Sequence, residues 1–443
     1  MNKTNKNFDD FLASFQKMVK IPSYLQEDNS GFPFGEPIQK ALEEMVQICK
    51  ELGFETYIDP KGYYAYAQVG KGEKLLGVLG HLDVVPPGDL DKWDNPPFEP
   101  IIKDGKMYGR GTQDDKGPML AAIYGLKNLL DDGLELNYRV RFIFGTDEEN
   151  LWRCIPKYIE KEEIPSMGFS PDSKFPLIYA EKGLLQCKLT AKNESGLVFK
   201  GGDAFNSVPS KMVAEKTPGL IEALDALGYD YIDKDTHVEV IGKSVHAQIA
   251  ETGINAINRY MEALEKSGIH TKSGKFIVEN LVGQKFAEPI FGEVKDEHTG
   301  ELKFNLGKIE FTPENEILGI DMRIPVTYST EEIVETLKKK AEEYGFTYER
   351  YDYLRSIYTP LDSPLVKTLM AAYSEVTGDY ESKPVASGGA TYARAIDNCV
   401  AFGAILPNGV KTEHQPNECI DIAQMETAME IYMDAFIKFN EGE

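Results

Sequence analysis

The sequence has no framework of paired cysteines. Its five cysteines (Cys49, Cys154, Cys187, Cys399 and Cys419) are odd in number, scattered, and never in a CxxC or CxxxxC spacing. That excludes a disulfide scaffold and a structural zinc knot and leaves them as reduced core residues. Long apolar runs are missing too, since no stretch approaches the roughly 18 consecutive apolar residues of a membrane span. The first residues, Met1 to Phe8, lack the apolar stretch and small-residue cleavage site of a secretory signal, so a cytoplasmic location is expected. Positive charge is scarce: 48 Lys and Arg against 72 Asp and Glu leave a formal charge of −24. Nucleic acids are held by clustered Lys and Arg, which argues against such a partner and for a small molecule. No repeat of fixed period and no low-complexity segment occurs.

What is present is enough chain for two domains: 443 residues, with hydrophobic and charged fractions ordinary for a globular protein. Phe8, Phe11, Leu12, Phe15, Met18 and Val19 recur at helical spacing, as do Ile38, Ala41, Leu42, Met45, Cys49 and Leu52. The apolar run from Lys74 to Gly80 predicts a strand buried on both faces, with His81 at its end. Tyr138 to Gly145 predicts a second, running into Thr146-Asp147-Glu148-Glu149, with a helix over 117–130 between the two. Strand, helix, strand with acidic and His residues at the strand ends predicts an open mixed α/β sheet, whose sites lie at the carboxyl ends of its strands.

From about Leu184 the pattern changes to strands with paired helices: strand 187–192, helix 209–227, strand 236–243, helix 254–266, strands 302–311 and 318–324, helix 330–344 and strand 348–354. This reads as an inserted α+β domain over 185–356. Buried character returns after Tyr358, with a helix over 364–376, a strand over 399–406 and a closing helix over 423–439. The catalytic domain is then discontinuous, 1–184 plus 357–443.

Five candidate ligands stand out: His81, Asp114, Glu149, Asp172 and His414, a mix of imidazole and carboxylate that suits zinc or a similar divalent ion. Each alone has a plain alternative, a hydrogen-bonded His at a strand end or a solvated acidic turn. Together, carboxylates ending apolar strands would repel one another and lose hydration at a cost unless a cation held them. Five ligands with three carboxylates fit two ions that share one bridging group and keep a position open for water. Asp83, two residues from His81 on the same strand face, is placed to accept the other imidazole N–H. Glu148 points away from Glu149 on an extended backbone and is free to serve as the base that deprotonates a metal-bridging water and returns the proton to the leaving amine.

These segments together carry a resemblance. Gly80-His81-Leu82-Asp83-Val84-Val85-Pro86, the stretch from Gly109 to Gly117, Thr146-Asp147-Glu148-Glu149, Ser170-Pro171-Asp172-Ser173 and His414-Gln415-Pro416-Asn417-Glu418 resemble, in order, the signature set of the co-catalytic di-zinc peptidases and deacylases. That group includes carnosinases, aminoacylases and succinyl-diaminopimelate desuccinylases. Gly168 to Ser173 followed by Tyr179-Ala180-Glu181-Lys182-Gly183 is most similar to the bacterial peptidase V-type dipeptidases. The resemblance implies His81 and Asp172 on one zinc, Glu149 and His414 on the other, Asp114 bridging, and a cis peptide between Asp114 and Asp115. Mn2+ or Co2+ are alternative ions.

The inserted domain resembles that family's lid. Gly201 to Asn206, Gly242 to Ala247 and Asp321 to Pro325 match the positions that supply an Asn, a His and an Arg, here Asn206, His246 and Arg323. His246 is placed to donate to the tetrahedral oxyanion and Arg323 to hold the substrate carboxylate bidentately. In Ser387-Gly388-Gly389-Ala390-Thr391, the glycines and a following helix fit an anion site, with the Ala390 amide implied for the carboxylate. Val245 stands where Ala is common and Ala250 where Pro is common, so the shape of the lid loop departs from the pattern. The length of the lid implies a monomer whose own His246 completes the site. The expected activity is that of a dipeptidase. A deacylase of N-acyl amino acids or N-succinyl-diaminopimelate is the alternative within this chemistry, and a non-catalytic peptide-binding protein the alternative outside it.

Overall fold

The computed structural model describes residues 7–26 and 29–442. The chain divides into two units. One comprises the residues through Tyr179, Ile357–Ala386 and the residues from Thr391 on; the other comprises Ala180–Ser356 and Ser387–Ala390. Together they make a mixed α/β structure with several sheets.

The first unit is built on a large sheet whose centre is parallel. Arg139–Gly145 pairs with Leu75–His81, that strand with Met167–Ser170, and Met167–Ser170 with Cys399–Ala401, all parallel. Every residue of Leu75–His81 is buried, as expected of a strand covered on both faces. Antiparallel strands flank this core, Ala65–Gly70 and Glu55–Ile58 on one side and Ile178–Glu181 on the other. Helices Phe8–Val19 and Glu36–Glu51 form where the apolar spacing places them, each burying one stripe. Lys116–Asp131 is buried nearly all round and packs against the closing helix Ile422–Glu441. Among the described residues no helix is long and apolar enough to cross a membrane.

The expected strand over 399–406 is instead two short strands, Cys399–Ala401 and Ala404–Ile405, in different sheets. Gly403 separates them at φ +91°, and a Cβ there would meet the Tyr432 hydroxyl at 2.3 Å. An apolar run alone does not reveal such a break.

The second unit is a five-stranded antiparallel sheet in the order Phe199–Gly201, Lys303–Phe311, Asn315–Ile324, Gly183–Lys192, Thr347–Leu354. Burial alternates along Gly183–Lys192; its inward side chains Leu185, Cys187 and Leu189 join a core with helices Ala256–Lys266, Lys272–Asn280 and Thr330–Glu342. A three-stranded sheet, Lys211–Glu215, His237–Ile241 and Tyr231–Asp233, completes the unit. The helix expected over 209–227 is a strand, Lys211–Glu215, followed by a helix, Leu220–Leu227. Burial in Lys211–Glu215 alternates with period two, and Gly219 in the left-handed region starts the helix.

Candidate metal centre

The parallel core brings chemistry to one edge. His81 and Gly145 end adjacent strands and are directly paired. Glu148 and Glu149 follow Gly145 in a turn, Asp172 lies two residues past Met167–Ser170, and Asp114 immediately precedes the buried N-terminus of Lys116–Asp131. The Asp114–Asp115 peptide is cis. His414 comes from the loop before strand Cys419–Asp421 and stands at φ +62°, a conformation that costs a residue with a side chain on the order of 1–2 kcal/mol.

These residues converge as two groups that share Asp114: His81, Asp114 and Asp172; and Asp114, Glu149 and His414. The His81 Nε2 lies 2.9 Å from Asp114 Oδ1 and 3.5 Å from Asp172 Oδ2. The His414 Nε2 lies 2.9 Å from Asp114 Oδ2 and 3.0 Å from Glu149. His81 Nε2 and Asp114 Oδ1 are buried, yet face each other without hydrogen-bond geometry. Buried polar atoms left in that state are rare, and atoms aimed at a shared point fit ligands of a divalent cation.

The electrostatics agree. Burial and then repulsion from Asp114 push Asp172 and Glu149 up to about 7. Burial also pushes Glu148 well above the usual carboxylate range, with Asp172, Glu149 and Asp114 adding to it. Burial opposes the charged form of His414, but hydrogen bonds to Asp114 and Glu149 raise it to about 11. The imidazoles of His81 and His414 are the groups that pull these carboxylates back down. Imidazole plus carboxylate donors in two sets of three fit two ions of zinc type, with positions left for water.

Asp83 works differently from the sequence expectation. The His81 Nδ1 donates to the main-chain carbonyl of Asp83 at 2.9 Å, while the Asp83 carboxylate stands 3.5 Å away. That carboxylate accepts instead from the backbone N–H groups of Glu148 at 3.1 Å and Glu149 at 3.0 Å. The expected extended backbone at Glu148 and Glu149 is therefore a turn, and what presents both side chains is the pair of N–H groups anchored on Asp83. One buried residue thus orients a ligand through its main chain and the acidic pair through its side chain.

Asn206, His246, Arg323 and Ala390 all belong to the second unit. Asn206 and His246 sit on loops stitched together by Ala247 N donating to Asn206 O (2.8 Å) and Val208 N to Val245 O (2.9 Å). The buried Asn305 braces the first loop by donating to the carbonyls of Phe205 (2.7 Å) and Ser207 (3.0 Å). His246 Nδ1 accepts from Gln248 N at 3.2 Å, which puts the proton of a neutral ring on Nε2. Arg323 gives its Nε and one terminal nitrogen to Asp321 (2.7 and 3.1 Å) and the other to Gly388 O (3.2 Å). Its side-on fork is therefore taken by Asp321. The helix expected after Ala390 is a single 3-10 turn, Tyr392–Ala395, capped by Thr391.

A sequence model described as Peptidase family M20/M25/M40 matches residues 77–438. The chain belongs to this family. Among M20 relatives it is 33% identical to "Putative dipeptidase YtjP" of Bacillus subtilis (strain 168), over 96% of each chain. It is equally identical to a "Putative dipeptidase" of Staphylococcus aureus (strain USA300), over 91% of each. Solved structures share the fold: the di-peptidase Dug1p of Saccharomyces cerevisiae (TM-score 0.64, 15% identity, all of both chains) and human carnosine dipeptidase 1 (TM-score 0.61, 16% identity, 98% of this chain and 97% of that one). M20 membership makes this chain a metallopeptidase.

Two residues that sequence reasoning passed over tie this M20 centre together. Gln113 donates to Val410 O and Cys419 O and accepts from Thr412 N and Glu413 N, holding the His414 loop beside Asp114. Glu418 accepts from the backbone of Gly111, Gln113 and Asp114 and pairs with the buried Arg110 at 2.7 Å. Their sequence signal was their place in the quoted motifs, Gln113 next to Asp114 and Glu418 four residues past His414. Gln113→Ala is expected to weaken one ion, the one on Asp114, Glu149 and His414, by about 10–100-fold. A competition titration with a chelator checks this, and equal weakening of both ions, or of neither, would refute the assignment.

Proposed function

We propose that this chain is a di-zinc dipeptidase that hydrolyses the amide bond of dipeptides with a free N-terminus. The observation that carries the reading is the pair of ligand groups joined through Asp114 with Glu148 presented beside them. The names of the 33%-identical relatives support it. His81 and Asp172 would hold one ion, Glu149 and His414 the other, and Asp114 both. Bound ions of this type polarise a carbonyl and make water acidic enough to attack at neutral pH.

The rest of the work belongs to side chains. Glu148, held high by burial, takes the proton of the attacking water and returns it to the departing amine. Asp83 keeps Glu148 and His81 in place. The His246 Nε2–H donates to the carbonyl oxygen as it gains charge. The second unit serves as the lid, supplying Asn206, the terminal edge of Arg323 and the Ala390 amide to the substrate, with one chain completing its own site as a monomer. That none of the five cysteines forms a disulfide supports a reducing, cytoplasmic setting.

The test is a matched panel: one dipeptide with a free and with an acetylated N-terminus, given to metal-loaded protein. Cleavage of the free form alone is the expected result. Preference for the acetylated form would make the chain a deacylase, and no metal-dependent turnover of either would leave a binding protein. Arg323 has its own readout. Arg323→Ala is expected to raise KM for the dipeptide by about 10–100-fold, the loss of a charge-assisted hydrogen bond, while leaving the C-terminal amide nearly unchanged. Equal damage to both substrates would show that Arg323 only braces Asp321.

A further inference from the structure

The open face of the five-stranded sheet in the second unit gathers positive charge. Lys308 lies directly opposite Gly319 on the next strand, and Gly319 directly opposite Lys188 on the one after. Strands are about 4.8 Å apart, so these lysines stand about 10 Å apart on one face with no side chain rooted between them. The Phe205 ring occupies that gap: a Cβ at Gly319 would lie 3.0 Å from it. Phe205 stacks on Tyr351 with centroids 4.8 Å apart and planes 16° from parallel. The Lys188 ammonium sits 5.0 Å from the Tyr351 centroid and that of Lys308 5.6 Å from Phe205, so the rings hold both charges at the face.

Lys200 and Lys211 line the same cleft, whose volume is about 890 Å3, within the range of small-molecule sites. Its carboxylates are Asp203 and Glu310. No side chain of the four lysines forms an ion pair or hydrogen bond with a described residue. Elsewhere in the same unit lysines do find partners: Lys216 with Asp233, Lys295 with Glu301, Lys303 with Glu251. Lys243 and Lys266 also lack a side-chain partner among the described residues, so what marks the cleft is that four such lysines surround one concavity in a chain with 72 acidic residues against 48 basic ones. A concave wall also focuses their field.

We propose that this cleft binds a small polyanion, a molecule with at least two negative charges spaced to reach both Lys188 and Lys308, such as a nucleoside triphosphate or a polycarboxylate. With Glu349 directly opposite Lys188 on the next strand counted beside Asp203 and Glu310, the four ammoniums still outnumber the carboxylates, and the spacing of Lys188 and Lys308 favours an anion with more than one charge. The site does not depend on the peptidase reading.

The test is calorimetry on the full, metal-loaded chain with ATP and, separately, citrate, both in excess Mg2+ so that neither strips the metal centre. Saturable binding that weakens with salt is expected, reduced at least 10-fold in Lys188→Gln/Lys308→Gln and kept in Lys188→Arg/Lys308→Arg. The control Lys338→Gln/Lys340→Gln, on an outer helix, should bind as the parent does. Should the half-buried pair fail to fold, the exposed pair Lys200→Gln/Lys211→Gln gives the same readout. Response to ATP alone identifies a phosphate site, to citrate alone a polycarboxylate site, and to both a site that reads charge only. No saturable binding of either probe, or binding that all variants share, overturns the proposal.

Discussion

Glu148→Ala should retain both metal ions and lose between about 10²- and 10⁴-fold in kcat, the span that a positioned acid–base group contributes. Glu148 belongs to neither ligand group, so metal content has no reason to fall. Its carboxyl is held high by burial first and by its acidic neighbours second, which suits a group that takes a proton from water and gives it to an amine. The loss should lie in kcat, with KM little changed, because the proton moves only in the transition state. Glu148→Gln keeps the shape and should be as inactive as Glu148→Ala. Metal analysis beside steady-state kinetics decides: near-parental kcat in Glu148→Gln, or loss of an ion from either variant, would remove Glu148 from the role of base.

Asp114→Ala should lose both ions at once, whereas Asp172→Ala and Glu149→Ala should each weaken mainly one. The reason is geometric. Asp114 Oδ1 faces His81 and Oδ2 faces His414 at 2.9 Å each, so it is the one carboxylate common to both groups. The effect on stability should be as large as that on content. An ion that binds only the folded chain stabilises it by about 4 kcal/mol at 1,000 times its Kd, so a chelator should lower the melting temperature of the parent protein markedly and that of Asp114→Ala hardly at all. A variant that keeps one tightly bound ion by elemental analysis would show that the two groups act independently.

The candidate ligands that the fold brings together were legible because their chemistry narrows the choice of residue. His81, Glu149 and Asp172 follow apolar strands, and carboxylates crowded at the ends of a parallel sheet call for a cation. Asp114 and His414 were named beside them as candidate ligands, and the motif resemblance supplied the bridging place of Asp114. The helices over 8–19 and 36–51 were legible from spacing, because an amphipathic stripe is a local property. The breaks in 209–227 and 399–406 were not: the first turns on the left-handed backbone of Gly219 and the second on Gly403, where a Cβ would run into Tyr432.

What the sequence alone determined is therefore the inventory: a mixed α/β unit, a second α+β unit, and the candidate side chains for binding metal and carrying a proton. Tertiary structure decided how those side chains are aimed. Asp83 contacts His81 through its carbonyl and the acidic pair through its carboxylate because residues 146–150 form a turn and not an extended strand. Gln113 and Glu418 fasten loops about 300 positions apart in the chain, and Asp321 takes one edge of Arg323. Hydrogen bonds are directional and short-ranged, so partners distant in sequence are chosen only once the sheets have assembled.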